Sequence, residues 1–277
     1  MRTTLRNLSE QAKEGGLPMV TAYDYPMAYW AKEAGLSFLL VGDSLGMVVQ
    51  GKNSTVSVTL DEMVYHTQMV RRGAPDAFVV TDLPFMSYQT SPEDALRAAG
   101  RLMKEADCDA VKLEGGCEMA PTISRLVAAG IPVMGHVGFT PQSVSLLSGF
   151  RVQANRVDTA DQLFLDVLTL EKAGAFGVVL EMIPYEVARE IVAHTKILTI
   201  GIGAGPFCHG QVLVSADLLG VYDKFKPRFA RRYTHLGEGM KEAFARYAAD
   251  VKTGHFPNLD ESFSWTEAEP WAPKIPK

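Results

Sequence analysis

Six side chains in this sequence could take part in chemistry together. They are four carboxylates, one lysine and one histidine, each at the end of a short apolar run: Asp43, Asp82, Lys112, Glu114, His136 and Glu181. Lys112 and Glu114 are two residues apart in AVKLEGG, so a strand would point both to the same face. Taken singly, each residue has an ordinary explanation as a helix cap, a turn former or a packed histidine. The chemistry depends on whether the fold brings them together.

The combined charge of such a group would restrict its chemistry. Four carboxylates and one lysine give a net charge of −3, and mutual repulsion would raise the carboxylate pKa values. A divalent cation would relieve this repulsion, and oxygen ligands without cysteine favour Mg²⁺ over zinc. A carboxylate left free of the metal, with a raised pKa, suits proton abstraction near neutral pH.

An open-sided Mg²⁺ beside a lysine suits a small anionic chelator such as a 2-keto acid. The carboxylate and keto oxygens of such a substrate could bind the metal together, and the metal would stabilise an enolate as a Lewis acid. Lys112 would balance the negative charge of the substrate. Spacing and charge therefore predict metal-assisted enolate chemistry, but they do not name a product.

Eight short runs rich in apolar and β-branched residues could position these side chains. They occupy residues 18–24, 38–44, 78–84, 110–116, 131–138, 176–182, 197–205 and 211–217. Nearly continuous apolar runs are typical of parallel strands that are buried on both faces. The glycine-rich end of the seventh run, GIGAG, resembles an anion-binding turn, although a plain tight turn is the simpler interpretation.

Helical patterns separate the runs. Thr59 to Glu62 has capping-box spacing, and Ser91 precedes a proline at the first helical position of another helix. Residues 159–172 and 184–194 are also predicted to be helical. Eight alternating units predict an α/β protein with a (β/α)8 TIM barrel, whose strand ends would meet at one mouth. An open doubly wound sheet is the alternative.

The remaining segments suggest one barrel domain over residues 1–255 and an irregular tail over residues 256–277. Met240, Phe244, Tyr247 and Val251 form one apolar stripe on a predicted C-terminal helix, which must dock on its own barrel or on a neighbour. Two long connections, 45–58 and 139–158, are candidates for binding loops.

The overall composition argues against a nucleic-acid-binding protein and against a membrane protein. The chain has 277 residues, 47% of them hydrophobic, and a net charge of −5 without a basic block. Nucleic acid is therefore an unexpected partner, and no apolar run reaches the roughly 18 residues of a membrane span. Three scattered cysteines and a start without an apolar signal region indicate a cytoplasmic protein.

Long motifs at the strand ends resemble one known family. They are TAYDYP (21–26), LLVGDSLGMVVQG (39–51), YHTQMVRRGAP (65–75), TDLPFMSY (81–88), AVKLEGG (110–116), GHVGFTPQS (135–143), LEMIP (180–184) and IGIGAG (200–205). Together they resemble the ketopantoate hydroxymethyltransferase family, in order from about residue 17 to residue 263. The resemblance implies a barrel of the phosphoenolpyruvate/pyruvate superfamily.

The resemblance also implies a reaction and a set of roles. The reaction transfers a hydroxymethyl group from 5,10-methylenetetrahydrofolate to 3-methyl-2-oxobutanoate, giving 2-dehydropantoate for pantothenate biosynthesis. By motif, Mg²⁺ would bind Asp43, Asp82 and Glu114, and Glu181 would be the catalytic base. The expected keto-acid contacts are Asp43, Ser44, Asp82, Lys112 and His136. The family further implies a cytoplasmic homodecamer, built as a pentamer of dimers.

Two other interpretations remain open at this point. One is a Mg²⁺-dependent carbon–carbon lyase or mutase of the same superfamily, whose isocitrate-lyase branch carries a catalytic cysteine in a KKCGH loop. This sequence has no such loop, and Cys117 lies in GGCEM. The other is a barrel that binds a keto acid without turnover, against which the full set of site residues argues.

Overall fold

Eight parallel strands close into a barrel in the computed structural model, which describes residues 2–143, 149, 151–221, 227–266, 269 and 271–273. The strands are β1 Leu17–Thr21, β2 Phe38–Val41, β3 Phe78–Asp82, β4 Ala110–Glu114, β5 Val133–Gly138, β6 Gly177–Glu181, β7 Leu198–Ile202 and β8 Gly210–Leu213. Each strand pairs with the next, and β8 pairs with β1. The predicted barrel is confirmed, and the open sheet is wrong.

Helices follow the strands around the barrel. They are α1 Leu5–Glu14, α2 Tyr25–Glu33, α3 Leu45–Val48, α4 Leu60–Gly73, α5 Pro92–Glu105, α6 Ala120–Ala128, α7 Val157–Lys172, α8 Tyr185–His194, α9 Ser215–Leu218 and α10 Leu236–Thr253. Thr59 and Glu62 form a capping box at α4, and Ser91 caps α5 ahead of Pro92, as the spacing predicts. These caps satisfy backbone amides that have no partner inside the helix.

The barrel interior is closed at its N-terminal end by a helix that the sequence patterns do not predict. Leu8 of α1 is fully buried and belongs to the same apolar cluster as Leu17, Phe38 and Phe78 from the strands. A larger apolar cluster fills the space between the strands and the surrounding helices. Access to the interior is therefore from the opposite end, where the carboxyl ends of the strands lie.

The two long connections are only partly irregular. Residues 45–58 contain α3, and residues 139–158 contain a 3₁₀ turn at Pro141–Ser143 and the start of α7. Within the second connection, residues 144–148 and 150 lie outside the described residues.

The C-terminal helix α10 exposes its apolar stripe. The exposed fractions are 42% for Met240, 67% for Phe244, 57% for Tyr247 and 47% for Val251. The stripe therefore does not dock on its own barrel, which was one of the two predicted possibilities. A 3₁₀ turn at Leu259–Glu261 follows the helix.

Among the helices of the described residues, none combines the length and apolar character needed to cross a membrane.

Candidate functional site

The alternation of side chains along the strands places the charged residues inside the barrel mouth. Phe78 and Val80 point into the barrel, so Asp82 does as well, because it continues the same period of two. The same rule brings Lys112 and Glu114 inward on β4, beyond Ala110. The shared face predicted for Lys112 and Glu114 is therefore the inner face of the barrel.

These side chains line one small cavity, here called the inner chamber. Its volume is about 100 Å³, and its polar lining includes Asp43, Ser44, Asp82, Lys112, Glu114, His136 and Glu181. The structure thus brings together all seven residues that the sequence singles out for the site. Five of them, Asp43, Asp82, Lys112, Glu114 and His136, are at most 5% exposed.

Lys112 is the positive charge at the centre of the inner chamber. Its Nζ lies 2.9 Å from Asp82 Oδ1 and 3.2 Å from His136 Nδ1. Burial opposes the charged form of Lys112, but the negative charges of Asp82, Glu114 and Asp43 outweigh burial and raise its pKa. Lys112 therefore remains an ammonium group that can stabilise negative charge on a substrate.

His136 connects Lys112 to Glu181. Burial, together with the nearby Lys112, lowers the pKa of His136, so the ring is neutral. Because the Lys112 ammonium can only donate, His136 Nδ1 must accept, which leaves the ring proton on Nε2. His136 Nε2 lies 3.0 Å from Glu181 Oε2, which is a close polar contact but not a well-oriented hydrogen bond.

Glu181 is largely buried, but part of its side chain remains accessible from the cavity. Its side chain is 13% exposed, more than that of the neighbouring His136, and burial raises its pKa. A carboxylate with a raised pKa is a suitable general base near neutral pH. The next residue, Met182, has a φ of 49°, which is uncommon for a residue other than glycine and is typical of functional sites.

Gln142, which the sequence reasoning did not single out, holds the carboxylates in place. Its backbone amide donates to Glu114 Oε2 at 3.0 Å, and its side-chain Nε2 donates to Asp43 Oδ2 at 2.9 Å. Tyr88 donates its hydroxyl hydrogen to Gln142 Oε1 at 2.7 Å, and the Glu114 amide donates to the Tyr88 hydroxyl at 3.1 Å. Both residues lie within the quoted motifs GHVGFTPQS and TDLPFMSY, which were the available signal.

Asp43 and Asp82 are the best placed residues for a hard cation. The Asp43 amide donates to Asp82 Oδ2 at 3.0 Å, so the two residues are adjacent. Burial raises the pKa of Asp43, and the negative charges of Asp82 and Glu114 raise it further. Asp82 Oδ1 is buried and has the ion contact with Lys112 but no well-oriented hydrogen bond. This surplus of buried oxygen ligands fits Mg²⁺.

Both oxygens of Glu114, the third residue of the predicted metal set, already have contacts within the protein. Its Oε2 accepts from the Gln142 amide, and its Oε1 lies 3.4 Å from His136 Nδ1. In the described part of the chain, no three His, Cys, Asp or Glu side chains converge closely enough to hold a metal ion. Mg²⁺ usually takes only one or two carboxylates, so the pair Asp43 and Asp82 suffices, and the role of Glu114 stays a prediction.

A second and larger cavity, here called the outer chamber, adjoins the first. Its volume is about 730 Å³, and Ser44, Pro141, Glu181, Ile202 and Val214 line both chambers. The rest of its described lining is mainly apolar and includes Met47, Val48, Val152, Met182 and Phe229. No cysteine appears in the described lining of either chamber, and Cys117 Sγ instead contacts Thr169 Oγ1.

The GIGAG segment forms part of the outer chamber as a tight turn. Gly203 has a φ of 67°, and an added Cβ would lie 2.8 Å from a ring carbon of Phe229. Glycine is therefore needed here for both backbone conformation and close packing.

Comparison with known proteins identifies the relatives of this chain. The family described as ketopantoate hydroxymethyltransferase matches residues 2–259. Two proteins named 3-methyl-2-oxobutanoate hydroxymethyltransferase are similar. The one from Chloroflexus aggregans is 55% identical, over 95% of this chain and 94% of its own length. The one from Thermus thermophilus is 51% identical, over 95% of this chain and 100% of its own length.

Solved structures support the fold. A 2,3-dimethylmalate lyase of the PEP mutase/isocitrate lyase superfamily aligns with a TM-score of 0.59 at 16% identity, covering 95% of this chain and 93% of that one. A phosphoenolpyruvate phosphomutase from Streptomyces platensis subsp. rosaceus aligns with a TM-score of 0.62 at 13% identity, covering 91% and 88%. At these identities the likeness shows a shared barrel and nothing about substrates.

Proposed function

The chain belongs to the ketopantoate hydroxymethyltransferase family, and we propose that it transfers a hydroxymethyl group from 5,10-methylenetetrahydrofolate to 3-methyl-2-oxobutanoate. The products are 2-dehydropantoate, a precursor of pantothenate, and tetrahydrofolate. One observation carries the proposal: a small charged chamber and a large apolar chamber share a wall that contains Glu181. A reaction between a small keto acid and a large aromatic donor needs such a pair of cavities.

The inner chamber would hold the keto acid. Lys112 supplies a buried positive charge for its carboxylate or keto oxygen, and Ser44 offers a hydroxyl that also contacts the Tyr23 hydroxyl at 2.9 Å. Asp43 and Asp82 would bind Mg²⁺, which, when bound, would polarise the keto group. Because the inner chamber is only about 100 Å³, it selects a small substrate.

Glu181 would remove the proton from C3 of the keto acid. Burial raises its pKa, and His136 Nε2 lies 3.0 Å from its Oε2. Because Glu181 also lines the outer chamber, the carbon that loses the proton can face the donor. That carbon then forms a bond to the methylene carbon of the donor. In the net reaction, the bonds from this methylene carbon to the two donor nitrogens break, one water molecule supplies the hydroxyl oxygen, and tetrahydrofolate leaves.

Exchange of the C3 proton tests this proposal without the folate donor. We expect the Mg²⁺-loaded protein to exchange the C3 hydrogen of 3-methyl-2-oxobutanoate in deuterated water, as followed by NMR. Glu181→Gln should slow the exchange at least ~100-fold, the usual contribution of a general base, and retain keto-acid binding. Glu190→Gln, at an exposed carboxylate on α8, is the matched control.

The same measurement separates the competing functions. A barrel that only binds the keto acid would bind it without exchange, and a lyase or mutase would process other substrates. Absence of exchange in the wild-type protein would contradict the proposal, and exchange at the wild-type rate in Glu181→Gln would remove Glu181 as the base.

We also propose that the protein is a homo-oligomer. The family resemblance implies a decamer. The exposed stripe of α10 supports an interface, because Phe244 and its three stripe neighbours have no cover on their own barrel. Light scattering after size exclusion should give the mass of an oligomer, and Phe244→Glu should lower that mass. A monomeric wild-type protein would contradict this proposal.

A further inference from the structure

The outer chamber is too large for the keto acid. Its volume of about 730 Å³ lies within the range of roughly 300–1,000 Å³ that is typical of ligand cavities. Ser44 and Glu181 line both chambers, so an occupant of the outer chamber would lie beside the residue proposed to act on the keto acid. This position suits the second substrate of the same reaction.

One carboxylate in this chamber has no hydrogen bond or ion pair to the described residues. Asp217, on the short helix α9 after β8, lines the outer chamber and is partly buried. Burial raises its pKa to about 6, partly offset by the positive charge of Arg232. Within the described residues its carboxylate oxygens accept no hydrogen bond and form no ion pair. The Asp217 oxygens are not sealed from solvent, so a ligand in the chamber can replace water as their hydrogen-bond donor.

The chemistry of the donor matches this carboxylate. The 2-amino-4-oxo edge of a reduced pterin carries two parallel N–H donors, at N3 and at the 2-amino group. A carboxylate accepts such a pair with two charge-assisted hydrogen bonds, which are strong and directional. The remaining ring surface is apolar and suits the walls formed by Met47, Met182 and Phe229.

A positive charge at the outer chamber suits the anionic tail of the donor molecule. Arg228 also lines the outer chamber and is exposed to solvent. The glutamate tail of a folate carries carboxylates that would pair with such a guanidinium group. The outer chamber thus offers an acceptor, apolar walls and a cation to a molecule with a donor edge, an aromatic body and an anionic tail.

We propose that the outer chamber binds the reduced pterin of the one-carbon donor, with Asp217 accepting hydrogen bonds from its N3–H and 2-amino groups. This inference rests on the proposed function, because it presumes a tetrahydrofolate donor. Asp217 is then a specificity-determining residue for the donor and has no part in proton removal at Glu181.

Asp217→Asn tests the assignment with the full-length, Mg²⁺-loaded protein. We expect its affinity for tetrahydrofolate in calorimetry to fall at least ~10-fold, because one of the two acceptors becomes a donor. KM for 5,10-methylenetetrahydrofolate should rise by the same factor. C3 exchange of the keto acid should stay within about twofold of wild type. Asp161→Asn removes an equal charge from the exposed face of α7 and should change neither quantity.

A modified ligand gives a second test on the unmutated protein. A tetrahydrofolate analogue with a methyl group in place of the 2-amino group should bind the wild-type protein at least ~10-fold more weakly than tetrahydrofolate. Asp217→Asn should lose little further affinity for this analogue, because the contact is already absent. Independent, additive losses would show that Asp217 does not touch the 2-amino group.

The failures of the two proposals are distinguishable. Wild-type affinity for tetrahydrofolate in Asp217→Asn would overturn the assignment of Asp217, whatever the exchange assay shows. Loss of C3 exchange in Asp217→Asn would overturn it too, because the residue would then act on the inner chamber. Failure of the wild-type protein to exchange C3 or to use the donor would instead overturn the proposed function.

Discussion

The two ends of the barrel both bury charged side chains, but only one end balances them. At the N-terminal end, the largely buried Arg71 and Asp109 form a pair, and the more exposed Arg2 lies 2.8 Å from Asp109 and 3.1 Å from the exposed Asp107. Arg71 also donates to the Ala77 carbonyl at 2.8 Å. The charges of this end, two arginines against two aspartates, are therefore matched and hydrogen-bonded.

At the mouth, four carboxylates of the inner chamber face a single lysine. The pKa of Glu114 rises to about 7, because burial and the charge of Asp82 outweigh Lys112. Balanced buried charges contribute to the structure, whereas a surplus of one sign has an energetic cost that a ligand of the other sign can remove. The comparison indicates that the N-terminal end stabilises the fold and that the mouth is a binding site.

The largest loss of stability is expected when the charge cluster at the N-terminal end is disrupted. Arg71→Ala should lower the free energy of unfolding by about 3–5 kcal/mol, because it removes a buried charged donor from Asp109 and from the Ala77 carbonyl, although Asp109 keeps Arg2. Urea denaturation would measure this. Arg97→Ala, at an exposed ion pair with Asp94, is the control and should change the stability much less. Similar costs for both variants would show that the balanced cluster contributes little.

A moderate effect is expected where the structure supports the mouth. Tyr88→Phe should lower the free energy of unfolding by about 1–3 kcal/mol, because it removes the acceptor of the Glu114 amide and the shorter of the two hydrogen bonds to Gln142 Oε1. Thermal denaturation would detect the change. Tyr65→Phe, at an exposed tyrosine of α4, should be neutral, and an equal loss in both variants would contradict the role of Tyr88.

The smallest effect has the opposite sign. Asp43→Asn should raise the stability of the metal-free protein by about 1 kcal/mol, because it removes repulsion from Asp82 and Glu114. The amide can still accept from Gln142. Thermal shifts in EDTA and in Mg²⁺ should show that stabilisation by Mg²⁺ is lost. Destabilisation of the metal-free variant would mean that the mouth, like the N-terminal end, is built for stability.

Local patterns predicted the elements of this fold well. The period of two in AVKLEGG correctly placed Lys112 and Glu114 on one face, and the spacing from Thr59 to Glu62 correctly began a helix. Both are short-range features, since alternation and capping depend on residues a few positions apart. Residues 144–148 and 150 lie outside the described residues, so the prediction of a binding loop over 139–158 is untested there.

Contacts between distant segments could not be predicted in this way. Gln142 meets Asp43 across 99 residues of sequence, and only barrel closure brings the two together. The packing of Leu8 beneath the strands likewise has no local signal, because it depends on the shape of the closed barrel end.

The sequence by itself determined the eight strands, several of the helices between them, the strand-end positions of Asp82, His136 and Glu181, and the common face of Lys112 and Glu114, because these follow from local patterns. Closure of the barrel decided what these residues form. It set the charge surplus in one small chamber, the bond from Gln142 to Asp43, and the shared wall through which Glu181 meets the outer chamber. These features arise only when strands far apart in the chain are held side by side.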